Sequence, residues 1–179
     1  GDDRNSALHC KECAAGKHAG TAGSSACAQC PAGTQSAGTH CQACAPGRYQ
    51  QDPTLDGCLA CAPGRFGSGD QASTAYCKDC APGTYQGNEA GLACTACKAG
   101  RFGSGSQSSS GYCTKCAAGS YSSGAGATAC TACEAGRYQD LPGRTACLVA
   151  VACAFPAQFT IMPGTPHNNA VCQAVTSCS

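Results

Sequence analysis

Eight C-x-x-C pairs, beginning at Cys10, Cys27, Cys41, Cys58, Cys77, Cys94, Cys113 and Cys130, carry most of the chemistry this chain can offer. Paired cysteines at that spacing serve as zinc ligands, as a redox dithiol or as half of a disulfide framework. Little else competes with them. His9, His18, His40 and His167 have no recurring Asp or Glu partner, the serines and threonines lie in Gly-rich loops, and no phosphate-binding glycine motif follows a strand pattern. No catalytic, cofactor-binding or metal-ligating residue is therefore assigned, and an enzyme is not expected.

The elements that must position these cysteines have little apolar material to work with. Leu, Ile, Val and Phe together number 15 in 179 residues, and the hydrophobic fraction of 42% is mostly Ala and Cys. A level below about 20% marks chains that cannot bury enough apolar surface to fold on a conventional core. Twenty cysteines reverse that reading. Such density belongs to disulfide scaffolds, which form and persist in oxidising compartments, so a secreted or cell-surface location is expected.

The opening "GDDRNSALHC" is polar, which places any signal peptide upstream or already removed. The run "ACLVAVACAF" at 146 to 155 is about half the length of a bilayer span, so no membrane-crossing segment is expected. A net charge of +1 with 12% charged residues offers no basic patch for nucleic acid or an anionic membrane.

The cysteine pairs follow one another at steps of 17, 14, 17, 19, 17, 19 and 17 residues, and a double unit of 36 carries Cys41 onto Cys77 onto Cys113. "GRFGSG" recurs at 64 to 69 and 100 to 105, and Tyr76 and Tyr112 each precede a C-x-x-C. This is tandem duplication of a small unit. Within a unit the second cysteine is followed by two residues, a Gly, one residue and usually a ring: Tyr49, Phe66, Tyr85, Phe102, Tyr121 and Tyr138. The Gly suggests a turn with positive φ, and each ring is read as packing on an adjacent disulfide. His18 and Gln35 stand where the first two units should carry the ring, so the N-terminal end is expected to pack least well. Lys17, Arg48, Arg65, Arg101 and Arg137 occupy the position between; if the repeats stack in register they form a sparse basic row along one face, with a solvated surface as the default reading. After Cys147 the spacing becomes C-x5-C, at Cys147/Cys153 and Cys172/Cys178. The chain accordingly divides into an extension at 1–9, tandem C-x-x-C repeats at 10–146 and a different repeat at 147–179.

Composition arbitrates among the three chemistries. Histidines do not recur at ligand positions and charge is scarce, which disfavours zinc; a thioredoxin-like dithiol needs a βαβ framework with hydrophobic strands, and none is present. Disulfides remain, and spacing leaves two pairings open. In the neighbour scheme, favoured because five loops enclose the same 13 residues, the bridges are Cys13–Cys27, Cys30–Cys41, Cys44–Cys58, Cys61–Cys77, Cys80–Cys94, Cys97–Cys113, Cys116–Cys130, Cys133–Cys147 and Cys153–Cys172. In the crossed scheme each four-cysteine block pairs first with third and second with fourth, as Cys77 with Cys94 and Cys80 with Cys97.

The unit C-x-x-C-x-x-G-x-[YF], seen as "CQACAPGRYQQDPTLDGCLAC" and "CTKCAAGSYSSGAGATACTAC", resembles the ephrin-receptor-like cysteine-rich repeat of the growth-factor-receptor cysteine-rich group. It is also similar to the first module of tumour-necrosis-factor-receptor repeats. The segment 147–178, ending "QAVTSC", resembles a tumour-necrosis-factor-receptor-related repeat. The resemblance implies small disulfide-rich tandem repeats forming an elongated rod of short β-hairpins with little or no helix, and neighbour pairing in the first module type. It is specific for a repeat class and not for a function. Two roles fit: a structural segment of an extracellular filament, coat or stalk, or a receptor or adhesion ectodomain that binds a protein ligand. The loops are near-copies rich in Ser, Gly and Ala, and Trp is absent. Binding surfaces concentrate distinctive aromatic and Arg anchors, so the first role, with self-association into a fibre or coat, is favoured. Stretches such as "GSGSQSSSGY" could carry O-glycans, while no N-x-[ST] sequon is present.

Overall fold

The computed structural model describes residues 13–21, 24, 26–153 and 158–174, so the expected extension at 1–9, His9, Cys10 and Cys178 lie outside the described residues. Its recurring element is a turn set by the glycine after each cysteine pair. In Ala45-Pro46-Gly47-Arg48 the Arg48 amide donates to the Ala45 carbonyl at 3.0 Å while Gly47 takes φ +79°. Pro at the second position, a positive-φ Gly at the third and the closing hydrogen bond define a type II turn. The same turn runs through Ala81-Pro82-Gly83-Thr84, closed at 3.0 Å.

The turn sends the chain into a short strand that pairs with the residues inside the next C-x-x-C. Arg48–Tyr49 lies antiparallel to Leu59–Ala60, Thr84–Tyr85 to Thr95–Ala96, Ser120–Tyr121 to Thr131–Ala132 and Arg137–Tyr138 to Leu148–Val149. Lys17–His18 pairs with Ala28–Gln29 and Thr34–Ser36 with Cys41–Ala43 in the same sense. In the two "GRFGSG" units the strands lengthen to Arg101–Gly103 against Cys113–Lys115 and Arg65–Gly67 against Cys77–Asp79. There the connection holds a single 3-10 turn, Thr74–Tyr76 or Ser110–Tyr112. The last hairpin joins Gln158–Met162 to Val171–Ala174. Among the described residues every sheet is two-stranded, and the protein is thus built of small antiparallel hairpins with very little helix. No helix among the described residues is long and apolar enough to cross a membrane.

An isolated two-stranded hairpin is marginal in water. Here each one is closed by a disulfide: Cys13–Cys27, Cys30–Cys41, Cys44–Cys58, Cys61–Cys77, Cys80–Cys94, Cys97–Cys113, Cys116–Cys130, Cys133–Cys147 and Cys153–Cys172. The buried apolar side chains among the described residues are cysteines, joined only by Tyr76 and Tyr112. Leu55, Leu59, Leu92, Leu141, Leu148 and Val149 are exposed instead. Among the described residues the buried apolar material is therefore mostly disulfide sulfur rather than an aliphatic core.

Contacts divide the chain into two compact units, residues 1–79 with 88–93, and residues 80–87 with 94–179.

Candidate functional site

In the first unit, the described groups converge on the Pro46-Gly47 turn. The Gly47 amide donates to the Tyr76 hydroxyl at 2.9 Å, a buried bond between residues 29 apart. The Gln71 Nε2 donates to the carbonyls of Cys44, Ala45 and Arg48 at 3.0, 3.0 and 2.9 Å, spanning the outside of the turn. The Gln50 amide donates to the Gln71 carbonyl at 2.9 Å. A Cβ on Gly47 would collide with the Ala90 carbonyl, so a second loop closes over the same turn. The ring of Tyr76 covers Gly67, where a Cβ would strike it.

The second unit repeats this clamp. The Gly83 amide donates to the Tyr112 hydroxyl at 3.0 Å, and Gln107 Nε2 reaches the carbonyls of Cys80, Ala81 and Thr84 at 2.9, 2.8 and 3.0 Å. The Gln86 amide meets the Gln107 carbonyl at 3.0 Å, and the Gly126 carbonyl closes over Gly83. Where the following module lacks this tyrosine, a main-chain carbonyl takes its place: Gly100 donates to Ser122 at 2.8 Å and Gly119 to Gln139 at 2.6 Å. The hydroxyl thus substitutes for a carbonyl acceptor.

Tyr49 packs against Cys61, Tyr76 and Cys77, and Tyr85 against Cys97, Tyr112 and Cys113. Phe66, Phe102, Tyr121 and Tyr138 are half-buried on their hairpins, opposite Lys78, Thr114, Thr131 and Leu148. Gln50 and Gln139, each directly after a tyrosine, are buried and shape their own loops. The Gln139 Nε2 donates to the Ala146 carbonyl at 2.8 Å while its Oε1 accepts from the Leu141 amide at 3.2 Å, and Gln50 does the same with Gly57 and Asp52.

Four of the cationic side chains make bonds within their own hairpins. Arg48, Arg101 and Arg137 donate Nη1 across their hairpins to the carbonyls of Cys58, Cys113 and Cys147 at 3.1, 2.7 and 3.4 Å. Arg65 instead pairs with Asp79, Nε to Oδ1 at 2.6 Å. That bond and the guanidinium charge hold the Asp79 carboxyl below its ordinary range. Asp52 is lowered too, by the Thr54 hydroxyl and amide at 2.7 and 2.9 Å.

The histidines separate. His40 is exposed, and the His167 ring stands where a Gly119 Cβ would sit. His18 places Nδ1 3.0 Å from the Cys41 sulfur and 3.7 Å from that of Cys30. A shallow, open cavity of about 580 Å³ lies in the second unit, between Glu134, Arg137, Val151 and the 164–166 loop.

These features define a class, tandem cysteine-rich modules made of disulfide-closed hairpins. No protein-family model matches the sequence, and no curated protein is significantly similar to it. Among solved structures, the chain is similar to one from the human RANKL/OPG complex at 14% identity, over 82% of this chain and 99% of that one, with a TM-score of 0.28.

Proposed function

We propose that this chain is a structural segment of an extracellular or cell-surface stalk, coat or filament, without enzymatic activity. One observation carries the reading: the same clamp, Gln71 with Tyr76 and Gln107 with Tyr112, recurs at a 36-residue interval and engages turn main chain. Module contacts that depend on backbone and on a few repeated side chains suit a load-bearing array whose loops tolerate change. Nine disulfides suit an oxidising exterior. Electron microscopy of native material tests the reading. Periodic fibres or a coat are expected, and dispersed monomers at physiological concentration argue against it.

A second reading, an ectodomain that contacts a protein ligand, is favoured by one feature. Leu148, Val149, Val151 and Val171, all in the last part of the chain, are 50, 68, 56 and 44% exposed. If Val149→Asp with Val151→Asp abolishes attachment to a cell surface while leaving any assembly intact, the second reading replaces the first.

A further inference from the structure

His18 occupies the position that holds Tyr49 and Tyr85 in later modules, and like them it lies against the disulfide of the next hairpin. Its neighbour is the Cys30–Cys41 bridge. A tyrosine in that place offers only a packing surface. An imidazole offers a ring nitrogen, here 3.0 Å from one sulfur and 3.7 Å from the other.

We infer that opening the Cys30–Cys41 bridge creates a zinc site, with His18 Nδ1 and the two thiolates as ligands. In a tetrahedral site with Zn–S near 2.3 Å and Zn–N near 2.0–2.1 Å, nitrogen and sulfur stand about 3.6 Å apart and the two sulfurs about 3.8 Å apart. The nitrogen-to-sulfur distances of 3.0 and 3.7 Å already bracket that value, and all three ligand atoms fall within 4.8 Å of one another. The two sulfurs need to part, and that of Cys41 to draw back from the nitrogen by about 0.6 Å. Among the described residues no other set of three His, Cys, Asp or Glu side chains is placed this way.

The surroundings hold the ligands in place after the bridge opens. His18 sits on the strand paired with Ala28, in a hairpin closed by a different disulfide, Cys13–Cys27. Cys41 remains opposite Ser36 in its own hairpin, and Cys30 donates its amide to the Gly16 carbonyl at 2.9 Å. Cys30 is 2% exposed, while His18 and Cys41 are half-buried, leaving a solvent side for a fourth ligand such as water. Two thiolates neutralise the dication, and zinc favours this mixture of nitrogen and sulfur.

The electron balance requires a thiol reductant. Two molecules of a monothiol such as glutathione convert the Cys30–Cys41 bond into two thiols and leave as one disulfide. Zinc then displaces one proton from each sulfur to solvent as two Zn–S bonds form, and His18 contributes the Nδ1 lone pair.

The test uses the full chain equilibrated in glutathione buffers of graded reduced-to-oxidised ratio, with and without Zn²⁺, followed by alkylation and peptide mapping of every cysteine pair. Binding to the open state alone shifts the opening equilibrium by mass action. With zinc in excess, Cys30–Cys41 is expected to open at a ratio lower by about tenfold or more. Cys44–Cys58 and Cys61–Cys77 are expected to stay unmoved, with one zinc retained per chain. His18→Phe supplies a ring like Phe66 and Phe102, keeps the packing and loses the zinc-dependent shift. An unmoved Cys30–Cys41 midpoint in the unmodified chain overturns the inference by itself. So does an equal shift at every bridge, or the same shift in His18→Phe.

Discussion

The Tyr112 hydroxyl accepts the amide proton of Gly83 at 3.0 Å, and both residues are buried. The amide belongs to a type II turn whose own hydrogen bond is made by Thr84, so nothing local can satisfy Gly83. Tyr112→Phe removes the acceptor while keeping the ring over Gly103. An unsatisfied buried donor costs about 1–3 kcal/mol. Amide exchange at Gly83 is expected to accelerate by that amount, with Gly119, which uses the Gln139 carbonyl, unchanged. Equal protection of Gly83 in the variant would show that the hydroxyl is not its partner in solution.

Gln107 offers two N–H donors to three carbonyls, those of Cys80, Ala81 and Thr84. Gln107→Glu turns that donor into an acceptor facing three acceptors. A loss of about 2 kcal/mol or more at neutral pH is expected. Such a carboxyl is easier to protonate in the folded state than in the unfolded chain, so its folded pKa is raised. Relative to the unmodified protein, the variant's deficit is then smallest below the unfolded value of about 4.3 and grows as pH rises through the folded value. Thermal melts from pH 3 to 8 check the sign.

These clamps mark the boundary of what the residues alone disclose. The turn and hairpin are local, so Cys, Pro46-Gly47 and Tyr49 announce them together, and the steps between C-x-x-C pairs expose the repeat. Spacing left neighbour and crossed bridges open. The structure closes each hairpin with its own pair, as in Cys80–Cys94, because the strands Thr84–Tyr85 and Thr95–Ala96 bring the flanking cysteines together. Gln71 and Gln107 recur at the 36-residue interval but sit in Ser- and Gly-rich loops with no apolar periodicity to single them out. Their partners are carbonyls, which every residue carries. Tyr76 and Tyr112 were visible as markers of the duplication, yet their bonds to glycine amides depend on how one hairpin lies on the last. His18 was legible only as a missing ring; the nearness of Cys41 is tertiary.

Ala90 holds φ +56°, the one non-glycine with positive φ among the described residues, and its counterparts in later loops are Gly126 and Gly143. All three donate an amide to a cysteine carbonyl, of Cys61, Cys97 and Cys116 respectively, at 2.9, 2.8 and 2.8 Å. The left-handed conformation costs a residue with a Cβ about 1–2 kcal/mol, and glycine gives back about 0.5–1 of that through its looser unfolded chain. Ala90→Gly is expected to stabilise the protein by up to about 1 kcal/mol and Gly126→Ala to destabilise it. Gly47→Ala should be worse than either, since its Cβ meets the Ala90 carbonyl as well. A lowered melting temperature for Ala90→Gly contradicts the account.

Asp79 and Asp52 have depressed carboxyl pKa values, the first from Arg65 and the second from Thr54. For a depressed group, stability is present above the unfolded value of about 3.9 and is lost as pH falls through the lower folded value. Both partners of the Arg65–Asp79 pair are largely solvated, at 47 and 74% exposure, so their contribution is screened. The Asp79 carboxyl resonance is expected to titrate below the ordinary aspartate range, and to move up toward it in Arg65→Ala. An unchanged midpoint in that variant removes Arg65 as the cause.

The sulfur interior makes the strongest demand on the molecule. A bridge closing a loop of about 15 residues contributes on the order of 3 kcal/mol, and the exposed leucines and valines cannot replace it. Full reduction is therefore expected to abolish the folded circular dichroism signal, whereas a zinc chelator added to the oxidised protein leaves it intact. Loss of structure with chelator alone would overturn the disulfide reading. A finer version uses Cys97→Ser with Cys113→Ser. Both cysteines are buried, and Tyr85 and Tyr112 pack on them. Removing such a bridge typically costs about 2–5 kcal/mol. It also frees the Tyr112 ring, so Gly83 should lose amide protection as it does in Tyr112→Phe. Protection retained at Gly83 would mean that the clamp is held by Gln107 and the hairpin backbone, and that the bridge supports only its own loop.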